Sequence, residues 1–320
     1  MAIFSIKNNI LQSISENKFD LEHDIQKITE QNLETIFGLK FISGSLNQEF
    51  SVRAQEQDFY IDTLAFDEAT NAFVIIEYKK DKSFSVVDQG FAYLSAMLNH
   101  KADFILELNE RLGKSVARAD IDWEQSRVIF ISPEFTNYQK NAINFKDLPI
   151  FLYKVKMYEN NILEYDPIRP YRTTESIGNL SKDKTIQDVS KEVKVYSEDD
   201  LLNKVQKAKD FYESLKEAIL QIDDSLIFHP TKTYIGIQIS GNWRTIMAIN
   251  FRLNQLILDY TRSEPKDFDD PEKKLVYRIN SFKNLGQHVS TLTVDSDVDV
   301  KYGVFLFKQT YKRFKEQFEK

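Results

Sequence analysis

Two strand-like runs separated by six residues constrain the fold of this chain more than any other feature. Residues 59–66 (FYIDTLAF) and 73–80 (FVIIEYKK) are rich in β-branched and aromatic side chains, which favour strands. The intervening loop, DEATNA, has a length that suits a β-hairpin. Both runs carry charge among apolar neighbours, at Asp62 in the first and at Glu77 and Lys79 in the second. Charged groups are costly to bury unpaired. These three residues are therefore expected to form either a common functional site or a structural ion-pair cluster.

The elements predicted around this hairpin define a first piece of the chain, residues 1–155. Apolar residues at helical spacing predict one helix over 20–37, ended by Gly38, and another over 85–99. Buried-strand patterns occur at 127–132 and 149–156, and a further strand is expected within 44–52. The predicted order is helix, two or three strands, helix, strand, with more strand after it. The first piece is therefore expected to be an α/β domain.

The rest of the chain is predicted to contain a linker with a long helix, residues 156–222, and a smaller α+β domain, residues 223–320. Six apolar residues of the long helix step by four and three, the spacing of a heptad seam: Leu201, Val205, Ala208, Tyr212, Leu215 and Ile219. One interpretation is ordinary packing against a neighbouring domain. The other is a homodimer contact through the helix at 201–219.

Composition excludes several classes of site. Cysteine is absent, and the four histidines show no zinc-ligand spacing. Nothing resembles a signal peptide, and no apolar run approaches the roughly 20 residues that cross a bilayer, so the expected location is the cytoplasm.

Residues 1–155 contain 16 Lys and Arg against 23 Asp and Glu, and residues 156–320 contain 26 of each. This balance disfavours avid non-specific binding to nucleic acid, but a bound metal can supply positive charge locally.

The three charged residues of the hairpin suit metal-assisted hydrolysis. Strand alternation puts Glu77 and Lys79 on one face and the Tyr78 side chain on the other. If the strands pair, Asp62 lies beside Glu77, and two adjacent carboxylates repel unless they share a proton or a cation. Mg²⁺ and Mn²⁺ take oxygen ligands, and the backbone carbonyl of Tyr78 could add one. Such a metal can polarise a phosphate and activate water, while Lys79 orients that water or neutralises developing charge.

Asp62, followed after fourteen residues by Glu77-Tyr78-Lys79, resembles the PD-(D/E)xK nuclease superfamily. The predicted order of elements looks like the αβββαβ core of that superfamily, the restriction-endonuclease-like fold. One departure is Ile61, which stands where the superfamily motif has proline.

The resemblance also assigns residues on the two helices. The segment QGFAYLSAM carries Gln89 and Tyr93 and is similar to the Gln-containing motif of related nucleases, where the Gln supports the site. An acidic residue of the first helix often joins the metal site in this superfamily. Glu22 and Glu30 are the two candidates here, and Glu22 is preferred.

Most of the chain also resembles a bacterial family of uncharacterised proteins. The segments that carry this resemblance are ENKFDLEHDIQKITEQNLETIFGLKF, IDTLAFDEATNAFVIIEYKK and VVDQGFAYLSAM. Residues 223–320 look like the C-terminal module known as DUF5655, for example in TYIGIQISGNWRTIMAINFRLNQLILDYTRS.

These resemblances imply a nuclease that uses Mg²⁺ or Mn²⁺ to cut DNA, in repair or in defence. The expected catalytic residues are Asp62, Glu77, Lys79, Gln89 and Glu22. The expected metal ligands are Asp62, Glu77, Glu22 and the Tyr78 carbonyl, and the expected nucleic-acid contacts are Lys80, Lys82, Lys101 and Tyr93. The alternative is a catalytically inactive nucleic-acid-binding or protein-interaction module on the same fold. Cleavage assays with metal discriminate between the two.

Overall fold

A computed structural model describes residues 3–17, 19, 22–54, 57–79, 85–170, 175–239, 244–280 and 287–318. The chain forms two compact units, Met1–Val195 and Tyr196–Lys320. Each unit combines helices with sheets, so the expected mixed α and β class is confirmed. In the described ranges, no helix has both the length and the hydrophobicity that a bilayer crossing requires.

The first unit contains eleven described strands and seven described α-helices. The strands are β1 (Ile3–Lys7), β2 (Ile10–Ile14), β3 (Glu16–Asn17), β4 (Lys40–Gly44), β5 (Phe50–Ala54), β6 (Gln57–Ile61), β7 (Thr63–Asp67), β8 (Ala72–Tyr78), β9 (Arg127–Ser132), β10 (Ile150–Tyr158) and β11 (Ile162–Ile168). The helices are α1 (Glu22–Gln31), α2 (Leu33–Phe37), α3 (Val86–Asn99), α4 (Lys101–Leu112), α5 (Asn137–Ala142), α6 (Ile177–Leu180) and α7 (Lys184–Glu192).

The main sheet of this unit has the strand order β11-β10-β9-β8-β7-β4, and β3 pairs with the far end of β10. Strands β4, β7 and β8 are antiparallel neighbours, whereas β8, β9 and β10 run parallel. Every residue of β8 and β9 is buried. Such continuous burial is typical of central strands covered on both faces, and it explains why these runs are apolar without alternation.

The predicted hairpin forms, but its first strand is shorter than expected. The run 59–66 bends at Asp62, so that β6 pairs with β5 in a separate two-stranded sheet and only β7 pairs with β8. At this bend the Asp62 carbonyl accepts a hydrogen bond from the side chain of Gln26, 2.8 Å away, instead of a strand partner. Thr63 lies opposite Ile76 in the ladder, which brings Asp62 to the end of β8.

The predicted helix over 20–37 is two helices, α1 and α2. Asn32 separates them with a non-helical backbone (φ −124°), and its side chain donates to the Ile28 carbonyl over 2.8 Å. Asn competes with the helix for backbone hydrogen bonds in this way. Residues 20 and 21 of the predicted helix lie outside the described residues. As expected, the second helix ends at Gly38, which adopts the left-handed conformation that favours glycine (φ 67°).

The second unit is an antiparallel sheet packed against helices. Its elements are α8 (Glu198–Leu202), α9 (Lys207–Leu220), β12 (Ile227–Pro230), β13 (Tyr234–Gln238), β14 (Met247–Phe251), β15 (Leu256–Thr261), β16 (Val276–Asn280), β17 (Gln287–Val294) and α10 (Asp297–Phe318). The strand order is β12-β13-β14-β15-β17-β16, and every pairing is antiparallel. The α+β composition expected for residues 223–320 is therefore present.

The segment predicted as a linker, residues 156–222, is divided between the two units. Strand β11 and helices α6 and α7 belong to the first unit, and α8 and α9 belong to the second. Ile177, Ile186 and Val189 are buried in the core of the first unit. No long apolar run marks these contributions in the sequence, because α6 and α7 each supply only one or two core residues.

The heptad seam packs inside the second unit. The helix is interrupted between Leu202 and Lys207, and the seam residues join the core that lies between the helices and the sheet. Ala208, Tyr212, Leu215 and Ile219 are almost completely buried there. The seam therefore presents no free face for the homodimer contact expected as one of its two interpretations.

Candidate functional site

Asp62 is held at the end of β8 through both its backbone and its side chain. Its Oδ2 accepts a hydrogen bond from the backbone N–H of Tyr78, 3.0 Å away. Its carbonyl is fixed by Gln26. In extended backbone the N–H and C=O of one residue point to the same neighbour, so the Tyr78 carbonyl lies along the strand edge that carries Asp62.

Glu77 lies on the face expected from strand alternation and is 3% exposed. Its Oε1 accepts a hydrogen bond from Lys79 Nζ at 2.6 Å and another from Gln89 Nε2 at 3.2 Å. Its Oε2 is buried and accepts no hydrogen bond of standard geometry from the part of the chain that the structure describes. A buried carboxylate oxygen without a donor is energetically costly, and a cation would relieve that cost.

The electrostatics show how closely these groups are coupled. Burial, followed by the negative charge of Glu77, raises the pKa of Asp62 from 3.8 to about 7, against the opposing charge of Lys79. Burial lowers the pKa of Lys79, but its hydrogen bond and charge interaction with Glu77 outweigh this and raise the pKa overall. Asp62 is therefore easier to protonate near neutral pH than an ordinary carboxyl group.

The two acidic residues on α1 have different environments. The charge of Glu22 contributes to the raised pKa values of Asp62 and Lys79, so Glu22 faces the site. Glu30 is 3% exposed and accepts five hydrogen bonds, from Gln26, Ser45, Leu46 and Thr63. Both of its oxygens are thus occupied, which favours Glu22 as the acidic residue of the first helix in the site.

Tyr78 and Tyr93 take different positions relative to the carboxylates. The Tyr78 ring is fully buried, and its hydroxyl accepts a hydrogen bond from Thr63 Oγ1 at 3.3 Å. Only its backbone can therefore contribute to the site, as expected. Tyr93 is 7% exposed, and burial followed by the charge of Glu77 raises its pKa. The Tyr93 side chain thus lies against Glu77 rather than on an open surface.

The lysines expected to contact nucleic acid are only partly described. Lys80 and Lys82 lie outside the described residues. Lys101 forms an ion pair with Glu192, at 2.6 Å, and its ammonium lies 5.4 Å from the centre of the Trp123 ring. These contacts engage Lys101 with α7 and the segment before β9, and among the described residues no ion pair or hydrogen bond joins Lys101 to Asp62 or Glu77.

Gln26 is the site residue that sequence reasoning missed. It is 7% exposed and donates both to the Asp62 carbonyl and to Glu30 Oε1, at 2.8 and 3.0 Å. A signal was present, because Glu22, Gln26 and Glu30 recur every four residues and so share one face of a helix. A polar stripe on the face that packs against a sheet indicates a buried polar network.

The donor set fits a divalent cation only in part. Among the described residues, no group of three or more His, Cys, Asp and Glu side chains is arranged to hold a metal ion. What the structure offers is a pair of carboxylates, Asp62 and Glu77, and a buried Glu77 Oε2 that accepts no hydrogen bond of standard geometry from the described residues. Two carboxylates with a backbone carbonyl suit Mg²⁺, which keeps several waters and needs few protein ligands.

A protein of Haemophilus influenzae named "Uncharacterized protein" is 38% identical to this chain over 315 residues, 98% of this chain and 100% of that protein. The chain belongs to the same family as that protein. The match spans both units, so their combination is shared. No family model matches the chain, and no solved structure matches it significantly.

Proposed function

We propose that the first unit is a divalent-metal-dependent nuclease that hydrolyses phosphodiester bonds in DNA. One observation carries the proposal: Asp62 and Glu77 converge at the end of β8, where Asp62 has a pKa of about 7 and Glu77 Oε2 is buried without a hydrogen bond of standard geometry from a described residue, although the Tyr93 side chain lies against this carboxylate. Lys79 forms an ion pair with the Glu77 carboxylate. The combination of two carboxylates and one ammonium suits a site for an anionic substrate and a cation.

The order of elements supports the proposal. Helices α1 and α2 precede the antiparallel strands β4, β7 and β8, and helices α3 and α4 then lead to β9, which is parallel to β8. This order corresponds to the αβββαβ arrangement of the restriction-endonuclease-like core. The hairpin β5–β6 is an insertion between the first two strands of that arrangement.

Each residue has a proposed role. Asp62, Glu77 and the Tyr78 carbonyl hold Mg²⁺ or Mn²⁺, with Glu22 at the edge of the site. A metal held there would polarise the phosphate and lower the pKa of a bound water. Gln89 fixes the orientation of the Glu77 carboxylate through its 3.2 Å hydrogen bond. Lys79 neutralises charge on the phosphate oxygens, which preorganised positive groups stabilise in the transition state.

The proposed substrate is DNA, cut in the cytoplasm in either repair or defence. The test includes single-stranded, branched and duplex DNA. We expect cleavage that requires Mg²⁺ or Mn²⁺ and stops when EDTA removes the metal. Asp62→Ala and Lys79→Ala should each reduce cleavage by about 100-fold or more.

Two exposed residues of the same unit provide matched controls. Asp58→Ala and Lys146→Ala remove the same charges from surface positions and should cleave like the unmodified protein. Calorimetric titration with Mn²⁺ should detect binding that Asp62→Ala abolishes and Asp58→Ala retains. A folded protein that neither cleaves nor binds Mn²⁺ would contradict the proposal and favour the inactive binding or interaction module.

A further inference from the structure

The middle of helix α10 in the second unit exposes positive charge only, whereas Asp297 and Glu316 are exposed near its two ends. Between residues 300 and 314, the exposed side chains of this helix are Lys301, Phe305, Lys308 and Lys312. They are spaced by four, three and four residues, so they form one stripe along the helix. No Asp or Glu occurs from Val300 to Lys315. We call these four residues the α10 stripe.

The neighbouring helix α9 shows what an ordinary solvated face of this unit looks like. Its exposed charged residues are mixed in sign: Lys207, Lys209, Asp210, Glu213 and Glu217. Lys209 and Glu213 approach to 4.0 Å, one turn apart. The exposed face of α9 therefore carries interspersed charges of both signs. The α10 stripe differs, although residues 196–320 as a whole contain 19 Lys and Arg and 19 Asp and Glu.

The lysines of the α10 stripe have no internal role that would explain them. Lys301, Lys308 and Lys312 form no ion pair with any residue that the structure describes. Lys308 and Lys312 are one turn apart, and like charges at this spacing destabilise a helix. The stripe therefore carries an electrostatic cost in the free protein, and a polyanion would relieve it.

The dimensions of the α10 stripe match a phosphate backbone. Lys301 and Lys312 are eleven residues apart, which corresponds to about 16 Å along a helix. Each strand of duplex DNA places a phosphate every 3.4 Å along the helix axis. The stripe therefore spans about five nucleotides of a duplex strand. Phe305 is 40% exposed and lies between Lys301 and Lys308, where its ring can stack on an unpaired base.

We propose that the α10 stripe is a nucleic-acid contact surface that holds a phosphate backbone against the second unit. The lysines neutralise phosphates without reading sequence, and Phe305 adds a preference for single strands. This surface is separate from the Asp62 and Glu77 site and does not depend on catalysis there.

The test measures binding of the full chain in EDTA, so that cleavage cannot occur. Fluorescence anisotropy with labelled 20-nucleotide duplex and single-stranded DNA is recorded over a KCl series. In the triple variant Lys301→Gln, Lys308→Gln, Lys312→Gln, the slope of log K against log[KCl] should become shallower by about 2 to 3. Phe305→Ala should weaken single-strand binding by about tenfold while leaving this slope unchanged.

A matched triple variant, Lys204→Gln, Lys207→Gln, Lys209→Gln, removes three exposed charges beside or within α9. It should bind DNA with the same affinity and slope as the unmodified protein. Equal effects of the two triple variants would show that only net charge matters and would overturn the proposal. It would also be overturned if the unmodified protein failed to bind DNA, or bound vesicles rich in phosphatidylserine instead. Circular dichroism confirms that α10 remains helical in each variant.

The outcome is independent of the nuclease proposal. An Asp62→Ala protein should retain the full salt dependence of DNA binding, because the α10 stripe is unchanged. If the unmodified protein binds DNA but does not cleave it, the nuclease proposal for the first unit is wrong and the α10 stripe proposal stands. If the triple lysine variant binds DNA as the unmodified protein does, the α10 stripe proposal is wrong.

Discussion

Asp62 accepts a hydrogen bond from the backbone N–H of Tyr78, 3.0 Å away, and this contact joins the bend after β6 to the end of β8. A hydrogen bond to the carboxylate lowers its pKa, yet burial and the charge of Glu77 raise it more strongly, to about 7. Asp62 is thus expected to retain its proton to a higher pH than an ordinary carboxyl group. This balance has measurable consequences for stability.

The first prediction concerns the pH dependence of unfolding in EDTA. The native protein retains a proton on Asp62 that the unfolded chain loses above about pH 4, so stability from this group declines as pH rises to 7. The full decline is at most about 4 kcal/mol, because each pKa unit corresponds to about 1.4 kcal/mol. Asp62→Asn should remove the decline, so its stability relative to the unmodified protein should increase between pH 5 and pH 8.

Urea unfolding at both pH values measures this difference, and Asp58→Asn is the control because Asp58 is exposed. The Asp58 variant should differ from the unmodified protein by the same amount at pH 5 and pH 8. A pH-independent difference for Asp62→Asn would show that this carboxyl has no raised pKa. Adding Mg²⁺ should stabilise the unmodified protein more at pH 8 than at pH 5, since the proton must leave before the metal binds.

A second prediction separates the two acidic residues of α1. Glu30→Gln places an amide among groups that donate hydrogen bonds to the Glu30 carboxylate. We expect this change to lower the free energy of unfolding by about 1–3 kcal/mol. Glu22→Gln should leave stability nearly unchanged but lower the pKa of Asp62, because the charge of Glu22 raises it. Urea unfolding and NMR titration of the Asp62 carboxyl measure the two effects. Equal destabilisation by both variants would contradict this separation.

The third prediction tests the close approach of Gly44 to the same network. A Cβ at this position would lie 2.2 Å from Glu30 Oε1 and 2.8 Å from the Asp62 carbonyl oxygen. Gly44→Ala should therefore displace both groups and destabilise the protein by about 1–3 kcal/mol. Gly178→Ala is the control, since its Cβ would meet no atom closer than Ser190 Cβ, at 3.1 Å. Thermal unfolding should show a clearly larger loss at Gly44, and similar losses at both positions would argue against a tightly packed network.

The sequence was most informative where one local rule applied to consecutive residues. Alternation along 73–80 placed Glu77 and Lys79 on one face, and the 2.6 Å contact between them bears this out. Continuous apolar character identified β9 and most of β10. These elements are specified by their own residues, since a buried strand must be apolar along its length.

The features that sequence reasoning missed depend on distant residues. The bend at Asp62 is held by Gln26, 36 residues earlier, and no pattern within 59–66 contains that information. The interruption of the heptad seam has the same origin, because the backbone N–H of Gln206, in the break before α9, donates to the Leu253 carbonyl at 3.0 Å. Tertiary contacts of this kind override local periodicity.

The final prediction concerns the boundary between the two units. A fragment 1–195 retains the core of the first unit, whereas a fragment 1–155 loses β11, which pairs with β10 along seven residues. It also loses the buried side chains of Ile177, Ile186 and Val189. Each large apolar side chain contributes about 1.5–3 kcal/mol on burial, so the shorter fragment should lose about 5 kcal/mol or more. Since whole domains are stable by only about 5–15 kcal/mol, 1–155 should be largely unfolded and 1–195 folded.

The second unit offers the matching comparison. A fragment 196–320 keeps α9 against the sheet, but 223–320 removes Tyr212, Leu215 and Ile219, which are at most 1% exposed. We therefore expect cooperative thermal unfolding by circular dichroism for 1–195 and 196–320, and no cooperative transition for 1–155 or 223–320. If 1–155 and 223–320 unfolded at the same temperatures as their longer counterparts, residues 156–222 would be a linker rather than parts of both cores.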